Sequence, residues 1–243
     1  MGNARYPMNP LPPDVAAWRR EQRKRLIALR EAIEPGQLHE WRLAIDSHLW
    51  RAFPGLRGTV IALCWPYRNE YDARHLAARL RAQGSTTLLP VVVARDTPLR
   101  FREWHPGVAM ARGTLGIPYP VGSPFMQPKA VLLPMVGFDA GGYRLGYGGG
   151  YFDRTLEAAN PRPTVIGVVH ELARMETIHP QAHDIPMDYV VTERGVYRRD
   201  GRELALLSAP AGGADAAGSP RSSPLSSPVC YANAPDVRRD AGD

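Results

Sequence analysis

The sequence predicts an α/β fold, specifically a three-layer sandwich around a mostly parallel sheet. Short apolar runs rich in β-branched residues recur along the chain, and segments with helical periodicity separate them. Strands that alternate with helices favour a parallel sheet covered on both faces. The chain has 243 residues, of which 44% are hydrophobic and 22% charged, as is typical of a single globular domain.

Composition suggests where this domain begins and ends. Residues 1–13 are rich in proline and predict a flexible leader, and residues 14–205 predict a single α/β domain. Residues 206–243 consist mainly of Ala, Gly, Pro and Ser, with few large apolar groups to offset the entropy of ordering. We therefore expect a disordered tail.

Two helices are predicted at the start of the domain. Asp14 is a suitable N-cap for a helix that runs to about Ile33, and a second helix follows Pro35 and ends near Ala52. The first helix is expected to face the core with Val15, Trp18, Leu26, Leu29 and Ile33.

The other elements alternate along the chain. Strands are predicted over residues 59–65, 88–93, 99–104, 130–134, 164–169 and 189–192. Helices are predicted over residues 72–82 and 151–159, and residues 106–128 form a turn-rich stretch.

Charge and cysteine usage make several classes of protein less favoured. The net charge is +6, but the basic run at residues 19–25 is typical of a solvated helix face, and the aromatic platforms of nucleic-acid modules are missing. No apolar run is long enough for a signal peptide or a membrane span. Cys64 and Cys230 form no metal-binding pattern. We expect a cytoplasmic monomer without nucleic-acid or membrane partners.

The glycine-rich segment RLGYGGGYFD, residues 144–153, carries the clearest functional signal. Four of the five residues 146–150 are glycine, and a helix is predicted directly after them. Glycines allow successive backbone N–H groups to converge on one anion, and a helix N-terminus adds a positive dipole end. Because Arg144 and Arg154 flank the loop, we expect it to bind a polyphosphate such as ATP.

Asp153 places a carboxylate beside this expected anion site. A bridging Mg²⁺ would resolve the conflict, since Mg²⁺ binds one or two carboxylates together with phosphate oxygens. Asp153 is therefore expected to be exposed at the cleft. The alternative is a tight connection whose glycines only permit a turn, because the spacing matches neither the P-loop nor the dinucleotide-binding fingerprint.

FDAGGYRLGYGGGYFDR, residues 138–154, resembles the signature of the 5-formyltetrahydrofolate cyclo-ligases, also called methenyltetrahydrofolate synthetases. Other family motifs occur in the same order: CWPYRNEYD at 64–72, LLPVV at 88–92, FREW at 101–104, GIP at 116–118 and HDIPMD at 183–188. The resemblance covers residues 18–195.

The resemblance implies a fold of the type shared by ribose-phosphate isomerase and CoA transferase domains. It also implies an ATP- and Mg²⁺-dependent reaction that converts 5-formyltetrahydrofolate to 5,10-methenyltetrahydrofolate and releases ADP and phosphate. In the mechanism that the resemblance implies, the formyl oxygen is phosphorylated, and N10 of the folate then closes the ring.

The resemblance also implies roles for particular residues. The implied catalytic residues are Arg144, Tyr151 and Asp153, and the implied metal ligands are Asp153 and Asp184. The implied ATP-binding residues are Arg19, Arg144, Leu145, Gly146, Tyr147, Gly148, Gly149, Gly150, Tyr151 and Phe152. The implied substrate-binding residues are Trp65, Glu70, Trp104 and Tyr151, although Glu70 alone would also suit a cap for the helix that follows it.

The sequence departs from the family pattern at the first helix, where Val15 stands in place of a lysine. Arg20 or Arg23 would replace its charge. Leu172 stands where many members have Gln, and His170 is expected to be an ordinary loop histidine. Two alternatives stay open: a paralogous ATP-dependent enzyme for another formylated or carboxylated metabolite, and a non-enzymatic module that binds nucleotide or nucleic acid.

Overall fold

A computed structural model describes residues 14–207 of the chain. The expected leader, residues 1–13, and residues 208–243 of the expected tail lie outside the described residues. Among residues 14–207, no helix combines the length and the hydropathy that crossing a bilayer requires.

Four α-helices and fourteen strands make up the described part of the chain. The helices are α1 (Val15–Glu31), α2 (Pro35–Ala52), α3 (Arg74–Arg81) and α4 (Tyr151–Ala158). The strands are β1 (Val60–Ala62), β2 (Thr86–Val91), β3 (Arg100–Glu103), β4 (Met110–Arg112), β5 (Pro118–Pro120), β6 (Phe125–Met126), β7 (Ala130–Pro134), β8 (Gly137–Asp139), β9 (Arg144–Leu145), β10 (Thr164–Val168), β11 (Arg174–Met175), β12 (Tyr189–Thr192), β13 (Gly195–Asp200) and β14 (Glu203–Leu206).

The main sheet has a parallel centre and antiparallel edges. Its nine strands follow the order β14-β13-β12-β10-β7-β1-β2-β3-β6. The five strands from β12 to β2 pair in parallel, whereas β13 and β14 extend one edge and β3 and β6 the other as antiparallel strands. The predicted mixed α/β fold with a parallel central sheet is confirmed.

Helices cover both faces of this sheet. On one face, Leu26 of α1 and Leu156 of α4 pack with Val131 of β7. On the other, residues of α2 and α3 pack with Leu132, the next residue of β7. Successive strand side chains point to opposite faces, so one apolar strand supplies both cores.

Helix α1 begins where the sequence predicted. Asp14 accepts a hydrogen bond from the Ala17 amide at 2.9 Å, as an N-cap should. The expectation that Leu29 faces inward is wrong, because its side chain is 47% exposed. Leu26 is buried as expected, Ile27 is buried as well, and the helix also carries buried Arg30.

The sequence missed the shortest strands. The turn-rich residues 106–128 contain the β4–β5 hairpin and the edge strand β6. Strands β8, β9 and β11 form a separate three-stranded sheet that leads directly into the glycine loop. Elements of two or three residues are too short to show a hydrophobic period, so no sequence pattern marks them.

Parallel pairing brings several loops to one edge of the sheet. Chain segments leave the carboxyl ends of β1, β7 and β10 at the same edge, the usual place for ligand contacts in open α/β sheets. Glu70 follows β1, Met135 follows β7 and His170 follows β10. The fold therefore gathers residues that are far apart in sequence.

Replacing Leu49 by alanine tests the packing of α2. Leu49 is fully buried, whereas Leu43 on the same helix is 50% exposed. We expect Leu49→Ala to lower the free energy of unfolding by about 2–5 kcal/mol, because it leaves a cavity. Leu43→Ala should change it by less than about 0.5 kcal/mol. Urea denaturation measures both values, and equal losses would contradict the assignment of the core.

Candidate active site

The glycine loop, defined here as residues 146–150, connects β9 to α4 through left-handed backbone. Gly148 has φ +95° and Gly150 has φ +63°, a region that side chains rarely adopt. A Cβ atom at Gly150 would also lie 2.8 Å from Nη1 of Arg154. Both positions therefore require glycine for a conformational reason.

The backbone N–H groups of the glycine loop have no partner within residues 14–207. None of the hydrogen bonds within residues 14–207 uses an amide N–H of residues 146–150. Gly150 is the N-cap of α4, and no side chain in the described range caps that helix. Unpaired N–H groups at a helix N-terminus are a binding site for an anion.

Arg23 of α1 lies against this loop. Its Nε donates to the Gly146 carbonyl at 2.7 Å, and its guanidinium carbon lies 3.3 Å from where a Cβ of Gly148 would be. Burial, followed by the charge of Arg19, lowers the pKa of Arg23. Arg20 is exposed. Arg23 is therefore the better placed of the two arginines to replace the lysine missing at Val15.

A buried ion pair joins β9 to α4. Nη2 of Arg144 lies 2.7 Å from Oδ1 of Asp153, and Nη1 of Arg144 donates to the Ile185 carbonyl at 2.9 Å. The expectation that Asp153 is simply exposed is wrong, because its side chain is 20% exposed and pairs with an arginine that is 5% exposed. Asp153 therefore helps to stabilise a buried charge.

A second ion pair joins α1 to the segment after β11. Nη2 of Arg19 lies 2.5 Å from Oδ2 of Asp184 and also donates to the His179 carbonyl, while Nε donates to the Ile178 carbonyl. Burial alone would raise the pKa of Asp184, but the hydrogen bonds from Arg19 and the Gln181 amide outweigh it and lower that pKa. The basic run at residues 19–25 is thus not entirely a solvated face.

The two aspartates differ in their capacity to bind a metal. Oδ1 of Asp153 accepts from Arg144 and from the Ile185 amide at 3.2 Å, while no hydrogen bond from the described residues reaches Oδ2. Both oxygens of Asp184 already accept hydrogen bonds. Residues 14–207 contain no cluster of three potential ligands. An ion such as Mg²⁺ would therefore fit at Asp153 only with water and phosphate oxygens completing its shell.

Glu70 lies at the centre of a buried polar network. Its Oε1 accepts from the Tyr147 hydroxyl at 2.9 Å and lies 3.6 Å from Nη2 of Arg30, which itself donates to Tyr147 at 2.6 Å. Its Oε2 accepts from the Tyr67 amide at 3.1 Å. Burial raises the pKa of Glu70, and Arg30 offsets part of that rise. Glu70 does not cap a helix.

His170 borders the same region from β10. The ring is 3% exposed, and its Nε2 lies 3.3 Å from the Asn69 carbonyl. A small cavity is lined by His170, Glu70 and Arg30, with apolar side chains around them. His170 lies in the loop after β10, as predicted, but it is buried there, which the sequence did not indicate.

The aromatic residues assigned to the substrate do not form one group. Trp65 and Trp104 make an edge-to-face contact, with ring centroids 5.8 Å apart, in the core that α2 and α3 cover. Trp104 is 7% exposed. Tyr151 lies at the start of α4, under the guanidinium of Arg154. The substrate roles of these three residues stay predictions, and burial favours a packing role for Trp104.

Comparison with known sequences decides the family. The sequence model of the 5-formyltetrahydrofolate cyclo-ligase family matches residues 15–193. The chain belongs to this family. The 5-formyltetrahydrofolate cyclo-ligase of Escherichia coli K12 is 28% identical over 175 residues, which cover 69% of this chain and 96% of that protein. The protein of the same name from Mycolicibacterium smegmatis is 28% identical over 157 residues, covering 60% and 80%.

Solved structures agree with this cyclo-ligase family assignment. The 5,10-methenyltetrahydrofolate synthetase of Aquifex aeolicus superposes with a TM-score of 0.67 at 28% identity, and the match covers 77% of this chain and 96% of that one. A synthetase from Mycoplasma pneumoniae, with a TM-score of 0.60 at 22% identity, shares the fold.

Sequence reasoning missed two residues that line the cavity beside Glu70, namely Arg30 and His170. Arg30 follows Arg19 and Arg23 at helical spacing. These arginines form a cationic stripe that overlaps the buried face of α1, and this pattern could have indicated Arg30 from the sequence. His170 carries no comparable signal, because its partners lie about a hundred residues away in the chain.

The buried His170 predicts a pH-dependent stability. Burial lowers its pKa to about 4 from an ordinary value of 6.5. The unfolded chain therefore binds more protons between those values, so the stability contribution of neutral His170 is full above pH 6.5 and is lost as pH falls toward 4. Between pH 7 and pH 5, we expect the free energy of unfolding of the wild type to fall by about 2 kcal/mol more than that of His170→Asn.

Urea denaturation of both proteins at the two pH values measures this difference. Glu70 and the other buried carboxyls also contribute to the pH dependence of the unfolding free energy, but these contributions are the same in both proteins and cancel in the comparison. If the wild type and His170→Asn lose the same unfolding free energy between pH 7 and pH 5, burial does not keep His170 neutral.

Proposed function

We propose that this chain catalyses the ATP-dependent cyclisation of 5-formyltetrahydrofolate to 5,10-methenyltetrahydrofolate, with release of ADP and phosphate. The family assignment supports the reaction. The observation that carries it in the structure is the glycine loop, whose free N–H groups lie beside the guanidinium of Arg23. A triphosphate needs this combination of donors and positive charge.

In this proposal the glycine loop holds the phosphates of ATP. The N–H groups of residues 146–150 and the N-terminus of α4 donate to the phosphate oxygens, and Arg19, Arg23 and Arg144 supply positive charge. Phosphoryl transfer depends mainly on positioning and charge stabilisation, so no side-chain nucleophile is required. The formyl oxygen attacks the γ-phosphorus, and ADP leaves.

Ring closure follows at the carbon of the formyl group. The N10 lone pair of the folate attacks this carbon, the bond to the phosphorylated oxygen breaks, and phosphate leaves while N10 loses its proton. Glu70 and Tyr151 are proposed to position the folate ring, since a carboxylate accepts hydrogen bonds from the N–H groups of a pterin. Trp65 is proposed to contribute to the pocket wall.

Asp153 is proposed to hold Mg²⁺ through its free Oδ2. When bound, the ion would neutralise phosphate charge and help to orient the triphosphate. Asp184 is then proposed to act through Arg19, because both of its oxygens are already engaged. This division of roles assigns one aspartate to the metal and the other to an arginine.

We also infer that the described residues constitute the catalytic domain. Their sheet, parallel at the centre and covered by helices on both faces, supports the proposed likeness to ribose-phosphate isomerase and CoA transferase domains.

Asp153→Asn tests the proposed reaction and metal site together. We expect wild-type protein with 5-formyltetrahydrofolate and Mg-ATP to form the methenyl product, followed by its near-ultraviolet absorbance. Asp153→Asn should lower kcat/KM about a hundredfold or more, because it removes the negative charge of the carboxylate that is proposed to bind the metal. Glu157→Gln, one turn later on the exposed side of α4, is the matched control and should keep wild-type activity.

Two results would contradict this proposal. Wild-type protein that binds ATP but forms no methenyl product would exclude the substrate. Asp153→Asn with wild-type activity over a range of Mg²⁺ concentrations would exclude the metal site.

Arg23 and Arg20 provide a second test, since they lie close together on α1 with different surroundings. Arg23→Ala should raise the KM for Mg-ATP about tenfold or more, because a charge-assisted hydrogen bond is lost. Arg20→Ala should change that KM by less than about twofold, because Arg20 is exposed. Steady-state kinetics at saturating folate measure both, and equal effects would mean that Arg23 does not replace the missing lysine.

A further inference from the structure

His170 has a polar atom that the fold leaves without a partner. Its ring is 3% exposed, and within residues 14–207 Nδ1 is a buried polar atom with no hydrogen bond. A buried polar group without a partner costs about 1–3 kcal/mol, so native proteins rarely keep one without a use.

The contact on the opposite nitrogen fixes the chemistry of Nδ1. Nε2 lies 3.3 Å from the carbonyl oxygen of Asn69, and a carbonyl can only accept. Nε2 therefore carries the hydrogen, and in the neutral ring Nδ1 is a hydrogen-bond acceptor. Trp41 packs against the ring with centroids 5.1 Å apart, which restrains its orientation.

A second acceptor lines the small cavity beside His170. Glu70 lines the same cavity, while Arg30 is held by the Met135 and Arg68 carbonyls and by Tyr147. Met135, Val168 and other apolar side chains complete the lining. Two acceptors in an apolar cavity are complementary to a flat ligand edge that presents more than one N–H donor.

We propose that His170 is a specificity-determining residue, whose Nδ1 accepts a hydrogen bond from an N–H of the folate's aminopyrimidine ring while Glu70 accepts from another. This inference rests on the proposed function and adds a residue to it. A ligand without those donors would leave a buried acceptor unpaired, which is a strong basis for discrimination.

Three substitutions distinguish the roles of the two ring nitrogens. His170→Asn keeps an acceptor near the position of Nδ1, His170→Gln keeps a polar group near that of Nε2, and His170→Leu removes both. His39→Asn, at an exposed position of α2, is the control. Calorimetry without ATP measures the Kd for 5-formyltetrahydrofolate, and steady-state kinetics measure the KM values. Thermal melting checks that each variant is folded.

We expect His170→Leu and His170→Gln to raise the Kd and the KM for 5-formyltetrahydrofolate about threefold to tenfold, with the KM for Mg-ATP unchanged. His170→Asn should stay within about twofold of the wild type. Of the three variants at this position, only Asn would thus preserve binding.

Other outcomes overturn the inference. Wild-type folate binding in His170→Leu would mean that a buried water alone satisfies Nδ1. An equal rise in both KM values, or equal weakening in all three variants, would indicate a purely structural residue. If the wild-type protein turns over 5-formyltetrahydrofolate, the proposed function stands whatever the His170 variants show. If the wild-type protein does not bind 5-formyltetrahydrofolate, both the proposed function and the role of His170 are overturned.

Discussion

The arrangement of the site depends on the arginines that one face of α1 carries into the protein. Arg19, Arg23 and Arg30 are spaced by four and seven residues, so they lie on the same side of the helix. Their guanidinium groups donate to backbone carbonyls of four separate segments, including the glycine loop at Gly146 and the residue after β7, Met135. Buried guanidinium groups require such partners, because removing an unpaired charge from water costs several kcal/mol. The helix and the loops therefore stabilise one another.

This dependence connects the two halves of the proposed active site. Tyr147 belongs to the glycine loop, yet its hydroxyl bonds both Arg30 and Glu70. Phosphates held by the loop and a ring held at Glu70 would thus share one hydrogen-bond network. Buried networks of this kind have few alternative arrangements, since each broken bond leaves a polar group unsatisfied. The geometry suits a reaction in which a phosphate and a formyl group must meet in a defined orientation.

The central fold and the position of the glycine loop could be predicted from the sequence, because their signals are local. Asp14 caps α1 as expected, and the apolar run of β7 and the glycines before α4 lie where the pattern placed them. Of the antiparallel edge strands, β3 lies where a strand was predicted, whereas β13 and β14 were missed, although β13 has six residues. The small sheet could not be predicted, because its strands of two or three residues are too short to show a period. The network around Arg30 and His170 was also missed, because it joins residues about a hundred positions apart, and only the folded chain shows that proximity.

A crystal structure with Mg²⁺, a non-hydrolysable ATP analogue and 5-formyltetrahydrofolate tests the central claim most directly. The account predicts that the triphosphate accepts hydrogen bonds from the N–H groups of residues 146–150, with the metal at Oδ2 of Asp153. It also predicts the folate ring beside Glu70, at the same edge of the sheet. A nucleotide bound away from the glycine loop, or a folate ring with no contact to Glu70, would contradict the account.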